Sequence, residues 1–282
     1  MKSTLIAKLP LNDEINLNSY NNVTTIRLIL INFFIDLVLT LQRIIPIYLP
    51  EMKTITETDN EFVCDIQAPC FQLLTSEEIE VIQASKTQVL FRKGENLTKQ
   101  GAFASYVLFI IEGLSKQHLE GEGSKQMNLR IIRPGEFVGL SAVFGKSTFN
   151  YSVVALTDTK VFIIEKSALA KLVQQNGMFA YSIIRRYCDH NTLLYDTIRN
   201  LTYKQMNGRL ADALLYIESI NDGTDDVFTM LSRRDIADFA GISTESTVKL
   251  LKTFEKDGLI KLDEKSITIE NREVLMEISK RG

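Results

Sequence analysis

A run of short polar and charged side chains between residues 243 and 252 could form hydrogen bonds to the edges of DNA bases. It supplies hydroxyl, carboxylate and ammonium groups, on Ser243, Thr244, Glu245, Ser246, Thr247, Lys249 and Lys252. A Glu carboxylate can accept from the amino group of cytosine, and Ser or Thr hydroxyls can serve either base edge. Lysine suits phosphate oxygens, which fix a protein on the duplex without reading its sequence.

The sequence places these residues on the second of two short helices. Ser232 with Asp235 matches a capping box, which predicts that the first helix begins at about Arg233. Gly241 suits a turn with positive φ, and Ser243 is a good N-cap for the second helix. We therefore predict a helix-turn-helix in which Ser232 and Arg233 also lie close to the DNA.

The second helix is expected to run to about Lys256. Its inward face is predicted to consist of Val248, Leu251 and Phe254. This leaves Thr247 on the outer, DNA-facing side. Residues 259–262 and 267–269 read as two strands around a turn, and a hairpin directly after a recognition helix predicts a winged helix.

Charge argues against this interpretation. The net charge of the 282 residues is −3, and residues 204–282 contain 12 Lys and Arg against 15 Asp and Glu. Because phosphate neutralisation is local, DNA binding requires the cations to cluster on one face. An effector-binding or protein-interaction module without DNA binding therefore stays open as an alternative.

The cysteines and histidines point to no cofactor and no enzyme. Cys64, Cys70 and Cys188 are one thiol short of the usual four ligands of an iron–sulfur cluster, so no cluster is expected. Few cysteines and no signal-peptide pattern favour a cytoplasmic protein. His118 and His190 have no catalytic or metal-binding spacing, and we expect both to be solvated.

Residues 1–51 differ in composition from the rest of the chain. Residues 23–49 are rich in Ile, Leu and Phe, but Asp36 would be costly in lipid. Three interpretations stay open: a membrane-tethered sensor, an extra helix on the body, or a segment foreign to the natural protein. We favour Met52 as the natural start, which makes residues 52–86 a leader followed by a helix over 74–84.

Residues 87–170 contain many short apolar runs separated by glycine. Short strands at regular spacing predict an antiparallel sandwich or barrel. Its corners are expected at Gly94, Gly101, Gly113, Gly135 and Gly139.

A long helix is predicted over about 178–201, within a dimerisation segment at 171–203. One seam position repeats every seven residues as Ala180, Tyr187, Leu194 and Leu201. The second seam position holds Ile184, Asn191 and Ile198. Three such heptads predict a parallel dimeric coiled coil, with a helix packed on its own domain as the alternative.

The order of these parts resembles the Crp/Fnr family of bacterial transcription regulators. The motifs that carry the resemblance are F-R-K-G-E (91–95), K-Q-G (99–101), I-E-G (111–113), R-P-G-E-F-V-G (133–139), A-L-T-D (155–158) and G-R-L-A-D-A-L (208–214). The resemblance covers about 71–282. It implies an α+β fold with a cyclic-nucleotide-binding-like antiparallel β-roll (a jelly roll), a dimerisation helix and a C-terminal winged helix-turn-helix at 204–282. It also implies a homodimer on a two-fold symmetric operator in double-stranded DNA, with RNA polymerase as a further partner.

Two departures from the family pattern affect function. In the recognition helix Glu245 is kept, but Thr244 and the Val248-Lys249 pair replace the common arginines, so the family's base preference does not carry over. In the roll, Leu140 and the Phe149-Asn150 pair stand where cyclic-nucleotide binders hold the phosphate with Glu and Arg-Ser. Without that charged clamp we expect neither cAMP nor cGMP to bind.

The effector is therefore expected to be a different small molecule, of unknown identity. Its pocket is predicted to comprise Gly135, Glu136, Phe137, Gly139, Leu140, Ser141, Phe149, Asn150 and Tyr151.

Overall fold

An antiparallel roll forms the centre of the computed structural model, which describes residues 71–123, 125–221 and 226–282. Its strands are β1 Lys86–Phe91, β2 Asn96–Thr98, β3 Tyr106–Glu112, β4 Ser115–Glu120, β5 Gln126–Ile132, β6 Phe137–Val138, β7 Ser152–Ala155 and β8 Thr159–Glu165. They form two four-stranded sheets, in the orders β1-β8-β3-β6 and β2-β7-β4-β5. This arrangement confirms the predicted roll.

Strand β3 is buried on both faces. Leu108 and Ile110 pack between the two sheets, whereas Phe109 and Ile111 pack toward the helices beside the roll. The ring of Phe71 meets Phe109 edge-on, with centroids 5.1 Å apart. Alternate residues of one strand therefore hold the sheets together and attach the helices.

Glycine forms the predicted corners of the roll, since all five of the expected positions have positive φ. Two of them also lack room for a side chain. A Cβ at Gly113 would collide with the carbonyl oxygen of Asp158, and one at Gly139 would lie 2.7 Å from Cε1 of Phe149. A residue other than glycine would be strained there.

Three helices and a short turn of helix surround the roll. They are α1 Ser76–Ser85, α2 Ser141–Phe144, α3 Lys166–Gln175 and α4 Gly177–Tyr203. The helix predicted over 178–201 is α4, which begins after Asn176, whose side chain accepts from the backbone N–H of Phe179 at 2.9 Å. The predicted domain boundary at 170–171 falls inside α3, which packs on the roll.

The C-terminal part has the predicted winged helix-turn-helix. Its elements are α5 Met206–Ile220, α6 Val227–Met230, α7 Arg233–Ala240, α8 Thr244–Lys256, β9 Ile260–Asp263, β10 Ser266–Ile269 and α9 Arg272–Arg281. The last helix, which the sequence did not suggest, packs on α5, where Gly282 closely approaches Gly208. Ile131 and Leu156 of the roll belong to the same apolar core as this part.

The interpretations of residues 1–51, of the leader before residue 71, and of Cys64 and Cys70 lie outside the described residues. Within the described ranges, the helices are too short or too polar to span a membrane.

Candidate DNA-reading site and effector pocket

The first helix of the helix-turn-helix begins and ends as predicted. The Ser232 hydroxyl accepts from the N–H of Asp235 at 3.1 Å, and the Asp235 carboxylate accepts from the N–H of Ser232 at 2.8 Å. Gly241 ends α7 at a φ of 61°. The Ser243 hydroxyl then caps α8 by accepting from the N–H of Ser246 at 3.1 Å. Local capping therefore fixes both ends of the turn.

The buried face of α8 differs from the predicted one. Thr247 is fully buried beside Leu251 and Phe254, whereas Val248 is 36% exposed. The buried residues follow i, i+4, i+7 spacing rather than i, i+3, i+6. Thr247 tolerates burial because its hydroxyl donates to the carbonyl of Ser243 at 3.0 Å. The assignment of Thr247 to the DNA-contacting set is therefore wrong, and so is the inward placement of Val248.

The remaining predicted reading residues share an outer face. Ser243, Thr244, Glu245, Lys249 and Lys252 are exposed, and Ser246 is half-buried. Nζ of Lys249 lies 2.7 Å from Oε1 of Glu245, one helical turn earlier. This face offers a carboxylate, hydroxyls and ammonium groups at the N-terminal half of α8, which suits the base edges and phosphates of a major groove.

The wing is attached to the first helix through Arg233. Its guanidinium donates to the backbone carbonyl of Glu264 at 2.8 Å, at the tip of the hairpin. Burial lowers the pKa of Arg233 somewhat. Ser232 stays exposed beside it. Exposed Arg234 and Lys265 add cations near this edge that the sequence did not single out.

A cavity of about 260 Å³ lies between the roll and α4. Its wall is mostly apolar and comprises Gln117, Leu119, Leu129, Arg130, Phe137, Leu140, Ser141, Asn150, Tyr151, Tyr187, His190, Asn191, Leu193, Leu194 and Thr197. Five of the predicted pocket residues line this wall: Phe137, Leu140, Ser141, Asn150 and Tyr151. Gly135, Glu136, Gly139 and Phe149 lie outside this wall, and the Phe149 ring covers Gly139.

Tyr151 is fixed within this cavity. Its hydroxyl accepts from the backbone N–H of Gly139 at 3.0 Å. Burial raises the pKa of Tyr151, so the phenol stays neutral at physiological pH. Leu140, in the position of the family's phosphate-binding Glu, adds apolar surface to the wall.

Ten of the fifteen wall residues were not among the predicted pocket residues, and Arg130 of β5 is the charged one. It is 8% exposed, donates from Nε to Oε1 of Gln117 at 2.9 Å, and forms an ion pair with Glu136. The carboxylate of Glu136 therefore compensates its charge within the protein. Arg130 precedes the arginine-free stretch between Arg133 and Arg185 that contains the family's clamp position, so the family pattern does not point to it.

Both histidines are less solvated than expected. His118 is 2% exposed within β4, and His190 on α4 is half-buried with Nε2 3.8 Å from Oε2 of Glu136. Burial, followed by the charge of Arg130, lowers the pKa of His190 to about 4. Burial and the charge of Lys116 also lower the pKa of His118. Both rings are therefore neutral at physiological pH.

The predicted seam of α4 is only partly free. Ile184, Tyr187, Leu194 and Ile198 are 40–60% exposed, as a contact with a second helix requires. Leu201 instead points to its own helix-turn-helix, because its Cδ2 occupies the space where a Cβ of Gly241 would lie. Ala180 and Asn191 are half-buried.

Two family models match the chain. The cyclic nucleotide-binding domain matches residues 88–176, and the Crp-like helix-turn-helix domain matches residues 208–278. Together they cover more than half of the sequence. A roll followed by a long helix and a winged helix-turn-helix defines the class as regulators that join a sensor-type domain to a DNA-binding domain.

Known proteins of the same architecture resemble the chain along most of their length. The anaerobic regulatory protein of Bacillus subtilis is 25% identical over 197 residues, which are 68% of this chain and 83% of that protein. The cyclic AMP receptor protein of Thermus thermophilus is 22% identical over 218 residues, 75% and 97% of the two chains. Among solved structures, FixK2 of Bradyrhizobium japonicum has a TM-score of 0.61 at 21% identity, covering 68% of this chain and 96% of that one. A crp/fnr-family regulator from Eubacterium rectale has a TM-score of 0.64 at 19% identity, covering 76% and 99%. The chain belongs to the Crp/Fnr family of transcription regulators.

Proposed function

We propose that the protein is a homodimeric DNA-binding transcription regulator whose operator affinity is controlled by a small molecule in the roll cavity. The observation that carries this proposal is the outer face of α8. Its hydroxyls, Glu245 and two lysines stand exposed on a helix that is capped at its N-terminus and packed on α7. Such a helix can enter a major groove with its reading residues already ordered.

The cavity favours an effector other than cAMP or cGMP. Leu140 replaces a charged clamp residue, and the buried cation Arg130 is already paired with Glu136. Because the Arg130 guanidinium already donates to Gln117 and Glu136 and its charge is compensated, a cyclic phosphate would gain less from it than from an unpaired arginine. The mostly apolar wall suits a less polar ligand.

The homodimer is proposed from the free apolar side chains of α4. Ile184 and Ile198 are 58% and 60% exposed, at seam positions two heptads apart. A second copy of α4 would bury both. Two recognition helices related by a two-fold axis would then read a symmetric operator, with RNA polymerase as a further partner in the cytoplasm.

We expect no iron–sulfur cluster and no other cofactor. Cys188 is exposed on α4, and the chain holds three cysteines in all. The family consists of regulators, and no catalytic activity is proposed.

The test is binding of a random duplex, as a function of salt concentration, by the full chain and by the Lys249→Ala and Lys252→Ala variants. We expect affinity to fall steeply as the salt concentration rises. Each variant should bind more weakly, and the slope of log affinity against log salt concentration should decrease by about one. Lys160→Ala, on the roll, is the matched control. Absence of binding at low salt would overturn the proposal of a DNA-binding protein. A response of binding to cAMP or cGMP would overturn the effector assignment alone.

A further inference from the structure

Strands β4 and β5 contact both the cavity and the first helix of the helix-turn-helix. Gln117 and Arg130 line the cavity. Lys116, next to Gln117, forms an ion pair with Asp235 of α7. Nδ2 of Asn128, two residues before Arg130, donates to the carbonyl of Asp235 at 3.0 Å. The same two strands therefore carry cavity residues and α7-binding residues side by side.

The ion pair is shielded from solvent. The side chains of Lys116 and Asp235 are 11% and 17% exposed. Burial raises the pKa of Asp235, but hydrogen bonds from Lys116 and Ser232 outweigh it and hold the pKa below its usual value. Removing one member of such a pair leaves an uncompensated buried charge, which is strongly unfavourable.

Asp235 performs a second role in the same place. Its carboxylate accepts from the N–H of Ser232 and so caps α7, beside the arginine that binds the wing. The side chain that ties the roll to α7 is therefore also the one that orders the N-terminus of α7. A displacement of Lys116 would act directly on that end of the DNA-binding unit.

We propose that Lys116, Asn128 and Asp235 form a latch that transmits movement of β4 and β5 directly to α7 within one chain. This route bypasses the 27-residue helix α4. The latch itself rests on these contacts alone, whereas its coupling to the cavity rests on the proposed function.

The latch is tested by amide hydrogen exchange of the full-length Lys116→Met variant, with Lys160→Met as the matched control because Lys160 pairs with Glu112 away from α7. We expect exchange in α7 to rise by roughly tenfold or more in Lys116→Met, with β3 and α9 unchanged. Unchanged exchange in α7 would overturn the latch. So would a uniform rise throughout the chain, since that reports general destabilisation.

A second comparison tests the coupling. Leu119→Trp adds bulk to the cavity wall on β4 and should change exchange in α7. In the Lys116→Met background the same substitution should have no further effect on α7. An equal effect in both backgrounds would overturn the coupling but not the latch. Neither exchange experiment uses DNA, so both could still be interpreted if the salt experiment showed no DNA binding.

Discussion

Nζ of Lys249 lies 2.7 Å from Oε1 of Glu245 on the exposed face of α8. Two residues that are expected to contact DNA are therefore paired with each other in the free protein. The pair is well exposed, at 74% and 78%, and contributes little to stability in water. Binding to DNA would separate the two charges, with the ammonium moving to a phosphate and the carboxylate to a base edge.

Glu245→Ala should therefore reduce base preference without weakening general binding. Loss of one base contact should lower discrimination at one half-site position by about 1–3 kcal/mol. Affinity for random duplex should stay equal or rise, because Lys249 becomes free for phosphate. Selection of binding sites from a randomised duplex pool measures the first effect, with Glu273→Ala on α9 as the control. Equal weakening on all sequences would show that Glu245 does not read a base.

Thr247→Val should leave sequence preference unchanged. Thr247 is buried, and its hydroxyl donates to a carbonyl of Ser243 that also accepts from the backbone N–H of Thr247 at 2.9 Å. Valine keeps the volume and leaves that carbonyl paired, so stability should fall by only about 1 kcal/mol. Urea unfolding and operator titration measure the two quantities. A changed base preference would return Thr247 to the DNA-contacting set.

Ile198→Glu should convert the proposed dimer into a monomer. Ile198 is 60% exposed in one chain, so the charge is tolerated there but not in a helix pair. This position is a better test than Leu194, which also lines the cavity. Sedimentation velocity gives the mass, and Leu90→Glu on β1 serves as the exposed control. A mass that does not change would remove the coiled-coil hypothesis.

Acid should destabilise the protein partly through His190. Its pKa is about 4 in the folded chain and about 6.5 when unfolded, so the unfolded state binds more protons between these values. The contribution of His190 to stability is fully present above about pH 6.5 and is lost as the pH falls toward about 4. In His190→Asn the urea midpoint should fall less between about pH 7.5 and about pH 5 than it does in the unsubstituted chain. A smaller fall should remain in this variant, because the pKa of His118 is also lowered. Equal falls would show that His190 is solvated.

Local signals predicted the ends of the elements, because a cap or a positive φ depends on neighbouring residues. Ser232, Gly241 and Ser243 all fall where the sequence placed them. The inward face of α8 was ambiguous, since both Thr247 and Val248 lie at helical spacing from Leu251. The structure resolves it through a hydrogen bond inside one helical turn.

Side-chain contacts between different elements could not be predicted in the same way. Arg130 reaches Gln117 because β4 and β5 pair in one particular register. Lys116 and Asp235 are 119 positions apart along the chain. Helix α9 was missed although Asn271 caps it by accepting from the backbone N–H of Val274 at 3.1 Å, because charged residues dominate its exposed face.

The roll completes the core of the winged helix-turn-helix. Ile131 and Leu156 lie in that core, and the hydroxyl of Tyr216 accepts from the backbone N–H of Ile131 at 2.7 Å. The two halves are consequently not interchangeable parts. Grafting this C-terminal half behind another protein's sensor would require that sensor to supply an apolar contact and a donor for the Tyr216 hydroxyl in place of Ile131 and Leu156.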